Sequence, residues 1–231
     1  SGERPLFDLY GVEDEIQRAL DRRVELKSGG YLIFDQAEAM TTIDVNTGSF
    51  FGRRNQADTI LTTNLEAAAS LARQIRMRNL GGIIIIDFID MEDAEHRRQV
   101  HRTFENVMQR DPARSQIAGV SGLGLMEMTR KRTRDSLERV LCEGCPVCQG
   151  RGVVKTAETV CYEIFRKILR DAQAYDNDTL TVLAAQRVVD RMLDEESAHL
   201  ADLEEFIGKT ICMRAETGYS QEHLDIILFQ T

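Results

Sequence analysis

Two short runs constrain this chain more than any other feature. Met40 to Asn46 reads Met-Thr-Thr-Ile-Asp-Val-Asn, and Ile83 to Asp90 reads Ile-Ile-Ile-Ile-Asp-Phe-Ile-Asp. The β-branched residues favour strands, whereas Asp and Asn are poor strand formers. A carboxylate taken out of water without a partner is costly, so acidic residues in two such runs point to a shared task. The task that fits is to hold a metal ion between Asp44 and Asp87. A side-chain period of two puts Thr42, Asp44 and Asn46 on one face of their strand and Thr41, Ile43 and Val45 on the other. Magnesium suits the donor set, because it takes one or two carboxylates plus waters and a substrate phosphate. Such an ion polarises a phosphoryl oxygen, and Asn46 either orients a water or holds a carboxylate in place. On spacing alone the plainer alternative stays open: Asp44 caps a hairpin and Asp87 ends a strand.

The surrounding pattern predicts an α/β unit. A helical stripe runs through Val12, Ile16, Ala19 and Leu20 as far as Leu26, before the loop signal Ser28-Gly29-Gly30. Tyr31–Phe34 and Met40–Asn46 form a hairpin. Asp58 caps a helix running to about Asn79, closed by Gly81-Gly82, and Ile83–Ile86 is a strand buried on both faces. Strand, helix and strand make a βαβ unit, whose ligands sit beyond the carboxyl ends of the strands. A helix over Glu92–Arg110 and strands near Gln116–Val120 and Gly124–Met128 come next. Asp90, Glu92 and Asp93 are read as residues that stabilise a helix start. The basic run Arg130, Lys131, Arg132 and Arg134 opens a helix to about Leu141. After the cysteines come helices near 158–172 and 184–193 and strands near 180–183, 210–215 and 224–229, a small α+β domain.

Five Cys at 142, 145, 148, 161 and 212 do not make a secreted disulfide framework, and a reducing cytoplasm is expected. Cys145-Pro-Val-Cys148 followed by glycines has the spacing of a zinc knuckle, with a solvated turn or a redox pair as the plainer alternative. Structural zinc takes four ligands; Cys145 and Cys148 supply two, and Cys142 is a third candidate. Two copies of the chain complete the set, which predicts a homodimer with one zinc per two chains. Cys161 and Cys212 are expected to be small buried residues. His96 and His101, five apart, read as surface positions.

The net charge of −9 is unevenly spread: residues 1–155 hold 22 Lys+Arg against 23 Asp+Glu, and residues 156–231 hold 7 against 15. The acidity belongs to the last third. Arg53, Arg54, Arg76 and Arg78, with the run from Arg130 to Arg134, are candidates for contacting a phosphate backbone, although a charge run on a helix is more often a solvated face. No apolar run approaches the roughly 20 residues of a membrane helix. The first residues lack the pattern of a signal peptide. There is no P-loop, dinucleotide fingerprint or serine-nucleophile elbow.

Three stretches together resemble the ribonuclease E/G family. They are Arg23-Val-Glu-Leu-Lys-Ser-Gly-Gly-Tyr31 leading to Thr42-Ile-Asp44-Val-Asn46-Thr-Gly48, then Arg78-Asn-Leu-Gly-Gly-Ile-Ile-Ile-Ile-Asp87-Phe-Ile-Asp90-Met91, then Cys145-Pro-Val-Cys148. The ending, Ala215 to Phe229, is similar to the members without a long scaffold tail. The resemblance implies a DNase I-like mixed-sheet catalytic domain over residues 20–141, with Asp44 and Asp87 binding magnesium and Asn46 beside them. A zinc-link would span 142–155, joining two protomers through Cys145 and Cys148, and the small domain would span 156–231. It implies a magnesium-dependent endoribonuclease that cuts single-stranded RNA to leave 5′-phosphate and 3′-hydroxyl ends. Its roles would be 16S ribosomal RNA 5′-end maturation and mRNA decay. The family places S1, 5′-sensor and RNase H-like domains upstream, so residues 1–19 read as the tail of the last. A non-catalytic zinc-linked dimerisation module is the competing reading, and a DNA-directed metallonuclease is a third.

Overall fold

A computed structural model describes residues 5–48, 56–121, 124–172 and 179–228. It divides into two compact units, Ser1–Glu143 and Gly144–Thr231. The first unit runs α1 (Leu6–Leu9), α2 (Val12–Leu20), β1 (Arg23–Glu25), β2 (Tyr31–Gln36), β3 (Met40–Asn46), α3 (Gln56–Met77), β4 (Gly82–Asp87), α4 (Ala94–Met108), β5 (Ser115–Val120), β6 (Leu125–Arg130) and α5 (Leu137–Leu141). Its six-stranded sheet has the order β1-β2-β3-β4-β6-β5. Only β3 and β4 are parallel, joined by α3 as a βαβ unit; every other neighbouring pair is antiparallel.

The core lies between one face of this sheet and two helices. Ile43, Val45, Ile84, Ile86, Met126 and Met128 pack with Ala68, Leu71 and Ile75 of α3 and Val100, Phe104 and Met108 of α4. Burying such a side chain contributes about 1.5–3 kcal/mol, and the small residues of α3 let the helix lie close. The opposite face carries the alternate residues, so β4 is not buried on both faces as its isoleucine run suggested. Ile84 and Ile86 are fully buried, whereas Ile83 is 45% exposed.

Several other expectations are corrected. α2 ends at Leu20, and Arg23–Glu25 pairs with β2 as an edge strand. The apolar stripe carried past the true end because Val24 of β1 and Leu26 just after it also pack against the core. Asp58 sits in the first turn of α3 and does not precede it. That helix is closed by Asn79 (φ +49), not by the glycines. The amide of Leu80 donates to Ile75 and that of Asn79 to Arg76, the paired bonds of a Schellman cap. Gly81 and Gly82 serve a close approach instead: a Cβ at Gly81 would stand 2.7 Å from Arg132 Cγ. The basic run does not open a helix. Arg130 completes β6, and α5 covers only Leu137–Leu141.

The second unit holds α6 (Ala157–Ala172), β7 (Thr179–Ala184), α7 (Gln186–Asp194), α8 (Ser197–Ile207), β8 (Thr210–Ala215) and β9 (Leu224–Leu228). β7 is central, parallel to β8 and antiparallel to β9. Ile164, Ile168, Leu180, Val182, Val188 and Met192 form its core. Cys161 is buried there, and burial pushes its thiol up to about 11. Cys212 is exposed, contrary to expectation, because it lies on the outward side of β8. α8 was not expected from the sequence.

Candidate metal centre and its cavity

The parallel register of β3 and β4 sets Asp44 directly beside Asp87 at the carboxyl ends of the two strands. Both carboxylates line one cavity of about 820 Å³, together with Asn46, Gln56, Asp90, Glu92, Asp93 and His96. Asn46 donates its side-chain amide to Asp44 Oδ2 at 2.7 Å, which steadies that carboxylate. Burial raises the Asp87 carboxyl above the ordinary carboxylate value, and the negative charges of Asp44 and Asp90 raise it further. The crowding of negative charge favours a cation at this place. A divalent cation between two oxygen donors removes the repulsion, and two carboxylates with room for water are the donors the ion takes. The residues fit it. Among the described residues no group of three or more His, Cys, Asp or Glu is placed to hold a metal, so the candidate centre is a pair.

Two features of the cavity were not legible in the sequence. Asn64, fully buried on α3, donates to the carbonyl of Ile89 at 2.8 Å and accepts from its amide at 3.1 Å. It thereby fixes the chain that leaves β4. His96, read as a surface position, has a side chain only 20% exposed and faces the same cavity from the first turn of α4. Asp93 caps that helix by accepting the Glu95 amide, as an acidic residue at a helix start should. A further support comes from glycine. A Cβ at Gly30 would lie 2.6 Å from the Asn46 carbonyl oxygen, and at Gly48 (φ +67) 2.1 Å from that of Gly29. The Gly29-Gly30 turn therefore packs directly against the end of β3.

The basic residues are placed differently from expectation. Arg130 is buried and clasps the Asp111 carboxylate, itself without exposure, with two nitrogens while bonding Leu80 and Asn79. Arg78 is buried too, bonded to Gln74 and lying over the Phe34 ring at 4.2 Å. Their burial and these bonds give both a structural place instead of the expected contact with a phosphate backbone. Arg76 is half-buried and donates to Val107. Lys131, Arg132 and Arg134 are exposed, but Arg132 and Arg134 line a small hollow with Met40 and Gly81 at the amino ends of β3 and β4. At about 3.3 Å per residue, the length of β4 separates them from Asp87 by about 16 Å. Arg53 and Arg54 lie outside the described residues.

In the second unit, backbone amides of Gly152 and Gly150 and the Cys145 thiol hold the Cys148 thiol below its ordinary value. That favours the thiolate a zinc ligand must be. Gln149, Gly150 and Gly152 all have positive φ, the tight backbone of a knuckle. Two thiolates are half of a four-ligand set. Cys142 follows α5 in the first unit and is exposed.

The first unit is thus a mixed α/β sheet with a carboxylate pair at adjacent strand ends, and comparison with known proteins gives its lineage. The ribonuclease E/G family profile matches residues 1–133, and one described as RNase E/G, thioredoxin-like domain, matches residues 144–229. The chain belongs to the ribonuclease E/G family. It is 58% identical to ribonuclease G of Salmonella typhimurium over 99% of its own length, and 56% identical to ribonuclease G of Escherichia coli K12. Its identity to ribonuclease E of Haemophilus influenzae is 37%, over 97% of this chain and 24% of that protein. The chain spans about half the length (47%) of the ribonuclease G relatives.

Proposed function

We propose that this chain is the catalytic region of a magnesium-dependent endoribonuclease with a DNase I-like catalytic domain. It cuts single-stranded RNA to leave 5′-phosphate and 3′-hydroxyl ends, acting in the cytoplasm on 16S ribosomal RNA precursor and mRNA. The observation that carries the reading is the register of Asp44 with Asp87, with Asn46 tied to Asp44. The names of the relatives support RNA as substrate. Asp44 and Asp87 would hold the ion, which when bound neutralises charge on the phosphodiester and lowers the pKa of a water. Water adds to phosphorus, the bond from phosphorus to O3′ breaks, and O3′ leaves with a proton as the 3′-hydroxyl. Asn46 keeps the Asp44 carboxylate oriented through this, and Asn64 keeps the wall beyond β4 in place. His96 lines the same cavity beside Asp93. Cys145 and Cys148 from each of two chains would share a zinc, giving the homodimer. No helix among the described residues is long and apolar enough to cross a membrane.

The test is cleavage of a short 5′-monophosphorylated single-stranded RNA with and without magnesium. Asp44→Asn or Asp87→Asn should lower the rate at least about a hundredfold, the scale of losing one electrostatic group at a reacting centre. Unchanged cleavage by either variant would falsify the assignment. One observation favours the non-catalytic reading of the isolated chain: the described exposed cations of the basic run cluster at the far end of the sheet from the carboxylates. Under that reading pairing of chains survives Asp44→Asn and is lost with Cys145→Ser, while no RNA is cut.

A further inference from the structure

The cavity of the aspartates has a neighbour. A second hollow of about 510 Å³ is lined by Phe88, Asp90, Arg97, Val120, Gly124 and Met126 among others, and the two share one wall, Phe88 to Met91. That wall is held from behind by Asn64 on Ile89 and by Arg97, whose guanidinium donates to the carbonyls of Met91 and Glu92. The second hollow arises from a fault in the sheet. The β5–β6 ladder changes register between Ile117 and Val120, and the chain enters β6 through Gly124 at φ +84. Phe88, Val100 and Met126 make an apolar floor, each no more than 6% exposed. The rim carries the Asp90 carboxylate, whose Oδ1 would stand 3.7 Å from a Cβ at Gly124.

A mixed lining, apolar at the floor and polar at the rim, suits a flat heterocycle that brings its own donor. A phosphate there would face repulsion from the Asp90 carboxylate, while Arg97 has its Nη1 engaged by two carbonyls. We infer that this hollow receives a base of the RNA strand, from a nucleotide flanking the scissile phosphate, with Asp90 accepting a hydrogen bond from its exocyclic amino group. The inference rests on the reading of Asp44 and Asp87 as the cleavage centre, because the shared wall then places the hollow one step along the strand. Adenine, cytosine and guanine carry the amino group and uracil does not. Asp90 is exposed in the free protein, and a base that covers its carboxylate without offering a donor is penalised.

The experiment is a titration of the metal-free protein, labelled with ¹³C at methionine methyls, with short single-stranded RNAs that differ only by adenine or uracil at one position. The Met126 methyl resonance should shift on binding, with roughly tenfold weaker affinity for the uracil RNA, the size of one unmatched bond to a charged group. Val120→Trp, at the rim, should fill the hollow and abolish both the shift and the preference. Asp90→Asn, whose amide both donates and accepts, should abolish the preference and keep the shift. A Met126 signal unmoved by every RNA, or a preference that survives Val120→Trp, overturns the subsite. Should Asp87→Asn abolish cleavage while Met126 does not move, the subsite fails alone. Should Met126 move while Asp87→Asn cleaves normally, it is the cleavage centre that fails.

Discussion

Asp44 and Asp111 show how differently two carboxylates of one unit are treated. Asp44 stays at the cavity and accepts a bond from Asn46, whereas Asp111 has a side chain with no exposure and is clasped by Arg130. Burial pushes Asp111 upward, but bonds from Arg130 and the Ala113 amide, with the charges of Arg130 and Arg76, hold it below the ordinary value. A carboxyl lowered in the folded state stabilises the fold above its unfolded value of about 3.9 and loses that contribution as pH falls through the lower folded one. Thermal melts should therefore show a plateau above about pH 5 and a decline into acid. Asp111→Asn should flatten that decline and lower the plateau by about 3–5 kcal/mol, the cost of breaking a buried pair. The sequence showed Arg130 only as part of a basic run. Nothing local marks it as the partner of an aspartate nineteen residues earlier, so the run was read as one surface.

Period and composition reported the strands well and the caps poorly. Met40–Asn46 appears with the expected faces, since alternation of apolar and polar residues is a direct record of one covered side. The isoleucines of β4 carry no such alternation, and the sequence could not tell that only one side of the sheet is covered by helices. The Schellman cap at Asn79 was invisible because two glycines nearby are the commoner C-cap signal, and here those glycines make room for Arg132. Asn64 was hidden for a similar reason: on an apolar helix face one amide looks like an interruption. It is the tie between α3 and the exit of β4, so Asn64→Leu should cost about 1–3 kcal/mol in denaturant unfolding. Activity should fall too, although Asn64 is not itself among the residues lining the cavity. Loss of stability with full activity would show that the Ile89 wall needs no such tie.

The two units carry two separable claims. The turn at Cys145 and Cys148 was legible as a spacing, and the zinc proposed for it draws support from the lowered Cys148 thiol. A zinc assay with mass measurement in solution should give one zinc per two chains, and Cys145→Ser or Cys148→Ser should release the metal and yield monomers. One zinc per stable monomer contradicts the shared site. The carboxylate pair was legible as residues and strand ends, while their pairing depended on a register that only the folded sheet supplies. That pairing is the centre of the account, and electron paramagnetic resonance of added manganese reads it without requiring RNA or turnover. One ion should bind at the pair in each chain, with Asp44→Asn and Asp87→Asn each weakening it at least about tenfold and Cys145→Ser leaving it unchanged. Manganese bound equally by both aspartate variants and the parent would contradict the claim that these two carboxylates share one ion.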